Sequence, residues 1–194
     1  MIDSHCHLFF DNIKKNLTSI IDNAKNNNIT SILSINTDPF EFTNHYELIK
    51  DIKGIYISYG LHPEKITNEN LITKELIISN LSKDKVIGIG ETGLDFYHSI
   101  KFKKQQFKIF EAHIEASIES SLPLIIHQRN SEIEIMEVLK KYQKSNNLKV
   151  VFHCFTGSDA LKKFCIENNY YISLSGIVTF KNAIDLRNII KDIP

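Results

Sequence analysis

Five residues with metal-binding side chains close four apolar segments of this chain: His5 and His7 in "MIDSHCHL", Glu91 in "VIGIGE", His127 in "LPLIIH" and His153 in "KVVFH". On a strand, alternate residues share a face, so His5 and His7 point one way and Cys6 the other. Two imidazoles side by side form half of a metal site, although two surface histidines on a solvated strand would have the same spacing. Glu91 ends an apolar run in which Gly88 and Gly90 let another segment approach. A carboxylate there is costly to bury unless it is paired or metal-bound. Helix capping explains Glu91 poorly, because Thr92 and Gly93 follow before any periodic stretch. Either His127 or His153 alone reads as a satisfied core histidine. Together the set supplies four imidazoles and a carboxylate, more than one tetrahedral catalytic zinc uses while keeping an open position. It suits two divalent ions about 3.5 to 4 Å apart, bridged by the carboxylate.

Other polar residues stand at similar places. Arg129, two positions past His127, is either a planar clamp for a phosphate or carboxylate substrate or a salt bridge at the rim. His62 in "GLHP" suits contact with substrate or with a metal-binding residue. Asp95 in "GLDFY" can orient a ligand histidine from behind or cap a helix. Thr156, Gly157 and Ser158 read as a helix cap, with an anion cradle as the alternative. His45, His98 and His113 fall in helical or loop segments and read as structural or surface residues.

The segments that carry these residues alternate with longer amphipathic ones. Strand candidates begin at residues 1, 31, 55, 86, 123, 149 and 170, spaced to leave room for one crossover helix each. Their near-continuous apolar character suits parallel strands buried on both faces. In "FKKQQFKIFEAHIEASIESS", Phe107, Phe110, Ile114 and Ile118 line one helical face. Seven βα units in a row leave an open doubly wound sheet or a (β/α)8 barrel. An open sheet concentrates its chemistry at one crevice, often with a Gly-rich phosphate loop, and none is present. Here His5, His7, His62, Glu91, His127 and His153 lie at the ends of many strands, which is the barrel pattern. With no linker, repeat or low-complexity tract, residues 1–194 read as a single TIM-type barrel domain of the α/β class.

Composition narrows the function further. With 23 basic and 23 acidic residues the formal charge is zero, which argues against holding nucleic acid by broad electrostatics and leaves phosphate chemistry local to a site. Three scattered cysteines form no disulfide framework, no signal peptide follows Met1, and no apolar run reaches membrane-spanning length. The expectation is a cytoplasmic protein with no membrane partner. Oligomeric state and protein partners are not indicated.

The segments "IDSHCHL", "GLHP", "IGIGETGLDFY", "QQFKIFEAHI", "LPLIIHQRNS", "VFHCFTGS" and "YISLSGIVTFKNA" run in order from residue 2 to about residue 183. In them the chain resembles the TatD family of metal-dependent hydrolases, deoxyribonucleases of the amidohydrolase-like barrel group. The resemblance implies one divalent metal (Mg2+, Mn2+ or Zn2+) held by His5 and His7, with Glu91 bridging to a second held by His127 and His153. It implies metal-assisted hydrolysis of DNA phosphodiesters, exonucleolytic trimming being usual, with Arg129 as a substrate-phosphate contact. A small-molecule amidohydrolase or lactonase on the same barrel is the rival enzyme, though many of those bridge their metals with a strand-end lysine, and here the position holds Glu91. A non-catalytic metal-binding remnant is the other rival. The family pattern has a further strand of the type "LLxETDxP", whose aspartate completes the first metal site. The chain ends in "DLRNIIKDIP", where Asp192 follows a helical stretch. It thus reads as a fragment or a truncated product, short of the roughly 250 residues of a barrel. The 194 residues alone are expected to associate and to be a poor nuclease.

Overall fold

The computed structural model describes residues 1–67 and 72–194. Seven strands form one parallel sheet in the order of the chain: β1 (Ile2–Cys6), β2 (Ser31–Ser34), β3 (Ile55–Tyr59), β4 (Val86–Asp95), β5 (Leu124–Arg129), β6 (Val150–Phe152) and β7 (Tyr171–Ile172). Each apolar run named above supplies one of them. The crossovers carry helices α1 (Asp11–Lys14), α2 (Leu17–Asn26), α3 (Phe42–Ile49), α4 (Lys74–Asn80), α5 (Lys103–Ser120), α6 (Glu132–Lys140) and α7 (Asp159–Glu167), and α8 (Ile184–Ile190) follows β7. Asp192 lies in the turn after α8, and it is exposed.

The helices bury their apolar stripes on the outer face of the sheet. In α5, Phe110 and Ile114 are fully buried, and Phe107 and Ile118 pack against the same core. His113 shares that face, donating from Nδ1 to the Ile109 carbonyl (2.7 Å) and accepting the Leu61 N–H at Nε2 (3.2 Å). With helices outside and side chains inside, the strands are covered on both faces. Nine of the ten residues of β4 are buried, which is why it reads as a continuous apolar run rather than an alternation.

The sheet curls. In a flat sheet, β1 and β6 would stand roughly 24 Å apart, five strand spacings. Yet the rings of His5 on β1 and His153 just past β6 stack 3.3 Å apart and 8° from parallel. Only a sheet bent into the wall of a barrel brings those two strands face to face. The architecture is the α/β, TIM-type arrangement expected from the strand-end pattern, with the polar cluster at the C-terminal mouth.

Two glycines set the closest approach of the wall. Gly90 (φ +128°) and Gly93 (φ +145°) occupy backbone conformations that side chains rarely adopt. A Cβ on Gly90 would lie 2.5 Å from the Ile125 carbonyl oxygen, and one on Gly93 would run into the His127 carbonyl. Glu91 is thereby carried close to His127.

Candidate metal centre

Glu91 is the hub of the mouth. It is only 2% exposed, and its backbone N–H donates to the carbonyl of Asn36 beyond β2 (3.2 Å). Its Oε1 faces His127 Nδ1 (3.1 Å), His62 Nε2 (3.5 Å) and His153 Nε2 (4.0 Å). Its Oε2 faces His5 Nε2 (3.4 Å) and His7 Nε2 (4.0 Å). Burial pushes the Glu91 carboxyl up, but the contacts from His127, His5 and His62 outweigh it and hold the group well below the usual carboxylate range. Glu91 is a buried anion ringed by five imidazoles.

On one side the ring is wired by hydrogen bonds. His127 Nε2 lies 2.9 Å from Asp95 Oδ2, so in the neutral tautomer it donates there and leaves the Nδ1 lone pair toward Glu91. Asp95 is fixed in turn. Its Oδ1 accepts from the backbone N–H groups of Tyr97 and His98 (2.9 Å each), and His98 Nδ1 lies 2.8 Å from its Oδ2. Gln106 bonds its backbone on both sides, accepting from Asp95 N–H (2.8 Å) and donating to the Asp95 carbonyl (3.0 Å). Asp95 therefore both orients a histidine and closes the turn after β4. Burial raises its carboxyl, but His127 and His98 hold it well below the ordinary range. Burial alone would lower the His127 pKa, but flanked by Asp95 and Glu91 the imidazole is raised to about 9. His62 completes this side: its backbone N–H donates to the Thr37 carbonyl (2.9 Å), its Nδ1 accepts the Glu64 N–H (3.2 Å), and its Nε2 lies 3.1 Å from His127 Nδ1.

The opposite side is different. His5 Nε2, His7 Nδ1 and His153 Nδ1 are buried and have no hydrogen-bond partner among the described residues. His5 is near Glu91 but lacks hydrogen-bond geometry to it. Burial lowers the pKa of His7, and lowers that of His153 to about 3, so both stay neutral at ordinary pH. Neutral imidazoles with unused nitrogens beside a buried carboxylate are the donor set a divalent transition metal requires. The residues fit a metal.

The distances sort the donors differently from the sequence resemblance. That pairs His5 with His7 and His127 with His153. In the structure, donor atoms of His5, Glu91 and His153 lie within 4.8 Å of one another, as do those of His62, Glu91 and His127. His7 stands slightly outside, its ring 5.1 Å from that of His5 and stacked 4.6 Å from Phe10. A pocket of about 340 Å³ opens onto the cluster, lined by His7, Phe10, Thr37, His62, Glu64, Lys65, Glu91, His127 and His153.

Arg129 lies outside that pocket. It closes β5 at the rim, where its guanidinium sits 4.3 Å over the Tyr97 ring. Ser158 is the N-cap of α7, its Oγ accepting from Leu161 N–H (3.4 Å), so the capping reading of that loop describes the geometry. His45 is buried against Ser34 Oγ (2.7 Å). Sequence reasoning missed Asn36 and Thr37, which hold Glu91 and His62 by their backbone carbonyls, and also Gln106 behind Asp95. Polar residues directly after the apolar run "SILSI" were the available sign for the first two.

The chain matches the family described as TatD related DNase over residues 2–194. It is 36% identical over 198 residues to an uncharacterized metal-dependent hydrolase of Buchnera aphidicola subsp. Baizongia pistaciae, a match covering all of this chain and 74% of the relative. A 3'-5' ssDNA/RNA exonuclease TatD of Shigella flexneri is 24% identical over 195 residues, covering 100% and 75% of the two chains. Among solved structures, a TatD homologue from Escherichia coli K12 superposes with a TM-score of 0.88 at 26% identity, covering 100% of this chain and 75% of that one.

Proposed function

The chain belongs to the TatD related DNase family of metal-dependent hydrolases, and on that premise we propose that it hydrolyses phosphodiester bonds of DNA, as an exonuclease, at a centre for two divalent metals. The observation that carries this reading is the buried Glu91 carboxylate set between two histidine groups, one of them with unpartnered nitrogens. Glu91, His5 and His153, with His7 beside them, would hold one ion; Glu91, His127 and His62 would hold the other. When bound, such ions supply Lewis acidity, neutralising phosphate charge and lowering the pKa of water.

The protein's own part is placement. Asp95 fixes the His127 ring and its tautomer through Nε2. Gly90 and Gly93 allow β4 to approach β5, which sets the Glu91–His127 distance. The walls of the pocket, Phe10 among them, cover one flank of a bound phosphodiester, and Arg129 stands one alternation beyond His127 as a further phosphate contact. The donor groups that converge at Glu91 consist of that carboxylate and imidazoles. DNA is the partner in this reading, and the three free cysteines suit a cytoplasmic location.

The test is prolonged incubation of end-labelled single-stranded DNA with an excess of metal-loaded protein, because the 194 residues alone are expected to turn over slowly. Mononucleotide release that stops with excess chelator is expected. DNA left intact with Mg2+, Mn2+ and Zn2+ alike would overturn the proposal.

A further inference from the structure

Five residues close a circuit beside Glu91. His62 Nε2 lies 3.1 Å from His127 Nδ1, His127 Nε2 lies 2.9 Å from Asp95 Oδ2, and the same oxygen lies 2.8 Å from His98 Nδ1. His98 Nδ1 in turn faces Glu64 Oε1 at 3.4 Å, and the Glu64 backbone N–H returns to His62 Nδ1 at 3.2 Å. His62 and His127 are thus linked twice: directly across the mouth, and behind it through Asp95, His98 and Glu64. His98 is the imidazole of the circuit that the metal reading leaves without a task.

The geometry separates what the His98 ring does from what its backbone does. Nδ1 stands between two carboxylates, which only accept, so it carries a proton whether the ring is neutral or charged. The backbone around Asp95 does not depend on that ring. Gln106 braces it on both sides, and Oδ1 accepts from the N–H groups of Tyr97 and His98, which any residue but proline supplies. The ring is left with Oδ2, the oxygen that holds His127. A pocket of about 260 Å³, lined by Glu64, Asp95, His98 and Phe102 among others, reaches this place. Yet the Asp95 side chain is 1% exposed and that of His98 43%, so the bonded ring stands on the solvent side of the carboxylate. Without it, water would reach Oδ2 and compete with His127 for its lone pairs.

Resting on the metal-centre reading above, we propose that His98 is a positioning residue of that centre. Its Nδ1–H keeps Asp95 Oδ2 aimed at His127 and, beside Glu64, latches the turn after β4 to the turn after β3 (Pro63–Lys65). His127 and His62 then keep one mutual placement when they take an ion. His98 itself touches neither ion nor substrate; it acts through Asp95.

The test is the Zn2+ affinity of the full chain, read by competition with a chromogenic chelator, beside thermal melts of the metal-free chain. His98→Leu and His98→Asn have one shape, but only Asn can place an N–H where Nδ1 stands. His98→Leu should weaken one class of ion roughly fivefold, less than the 10- to 100-fold typical of a group that touches a ligand directly. His98→Asn should recover most of that loss, with both metal-free melts like the wild type's. In Asp95→Asn the amide oxygen takes the two backbone N–H groups and its NH2 faces His98, so the latch is already broken. Adding His98→Leu there should change nothing further. Wild-type affinity in His98→Leu, equal loss in Leu and Asn, full additivity with Asp95→Asn, or a lowered metal-free melt that Asn does not recover would each overturn the latch. So would loss of a whole ion in His98→Leu, because Glu64, Asp95 and His98, with donor atoms within 4.8 Å of one another, would then be a cation site of their own. A wild type that binds no Zn2+ removes the metal-centre reading together with the latch. One that binds two ions and is indifferent to His98→Leu removes the latch alone.

Discussion

The two sides of Glu91 are built on opposite principles. Toward β5, His127 is held between two carboxylates, its pKa raised to about 9, and the carboxylate behind it is fixed by two backbone N–H groups. Toward β1 and β6, the imidazoles of His5 and His153 stack and are short of partners among the described residues, and burial lowers the His153 pKa to about 3. The first side satisfies itself with a proton where a cation would sit. The second leaves buried nitrogens that find no hydrogen-bond partner among the described residues to offset their desolvation. A histidine wired to a carboxylate comes ready oriented, whereas the stacked His5 and His153 rings keep nitrogens unused. We propose that the difference divides the labour: the β5 side sets the geometry and the β1–β6 side supplies open coordination.

Removing the Glu91 charge acts on both sides at once. Glu91→Gln keeps the shape but deletes the charge common to both sides. Turnover of DNA should fall roughly a thousandfold or more, mainly in kcat, because several kcal/mol of metal-based stabilisation depend on that carboxylate. Steady-state kinetics on end-labelled DNA reads this; a variant within threefold of wild type would refute the role.

Asp95→Asn acts on one side only. An amide can present its N–H to His127 Nε2 and favour the wrong tautomer, so metal affinity should drop about 10- to 100-fold. The loss should fall on one class of ion, read by competition with a chromogenic chelator. Equal weakening of both classes would show that the sides are not independent.

The smallest effect lies away from Glu91. Burial lowers both His45 and His113 from 6.5 to about 4. Their folded pKa values lie below the unfolded ones, so the unfolded chain binds more protons in between. Their contribution is full above about pH 6.5 and is lost as pH falls toward 4. By pH 5.5 each costs about 1.4 kcal/mol, a tenfold shift in the folding equilibrium. Urea melts at pH 7.5 and 5.5 check this, with His113→Gln expected to flatten the pH dependence.

Much of this architecture was legible in the sequence because its strands are buried on both faces. "VIGIGETGL" and "LPLIIHQR" announce themselves as β4 and β5 by continuous apolarity, and the polar residues that end such runs must face the barrel mouth. That logic reaches Glu91, His127, His153, His5 and His62, which the structure brings together. It does not reach Asn36 or Thr37, because they act through backbone carbonyls that any residue carries. Nor does it reach the nearness of His5 to His153, since that depends on how far the whole sheet curls. From sequence, His113 reads as either structural or surface because the stripe of Phe110 and Ile114 does not say that a carbonyl and an N–H wait for its two nitrogens.

In the proposed centre, Glu91 joins two histidine groups into one site for two ions. Calorimetric titration of the metal-free chain with Mn2+, for wild type, His153→Ala and His127→Ala, tests it most directly. Two ions per wild-type chain and one per variant are expected, with the proton release that accompanies binding at pH 7.5 lost only in His127→Ala. One ion in the wild type, or two retained in either variant, would contradict it.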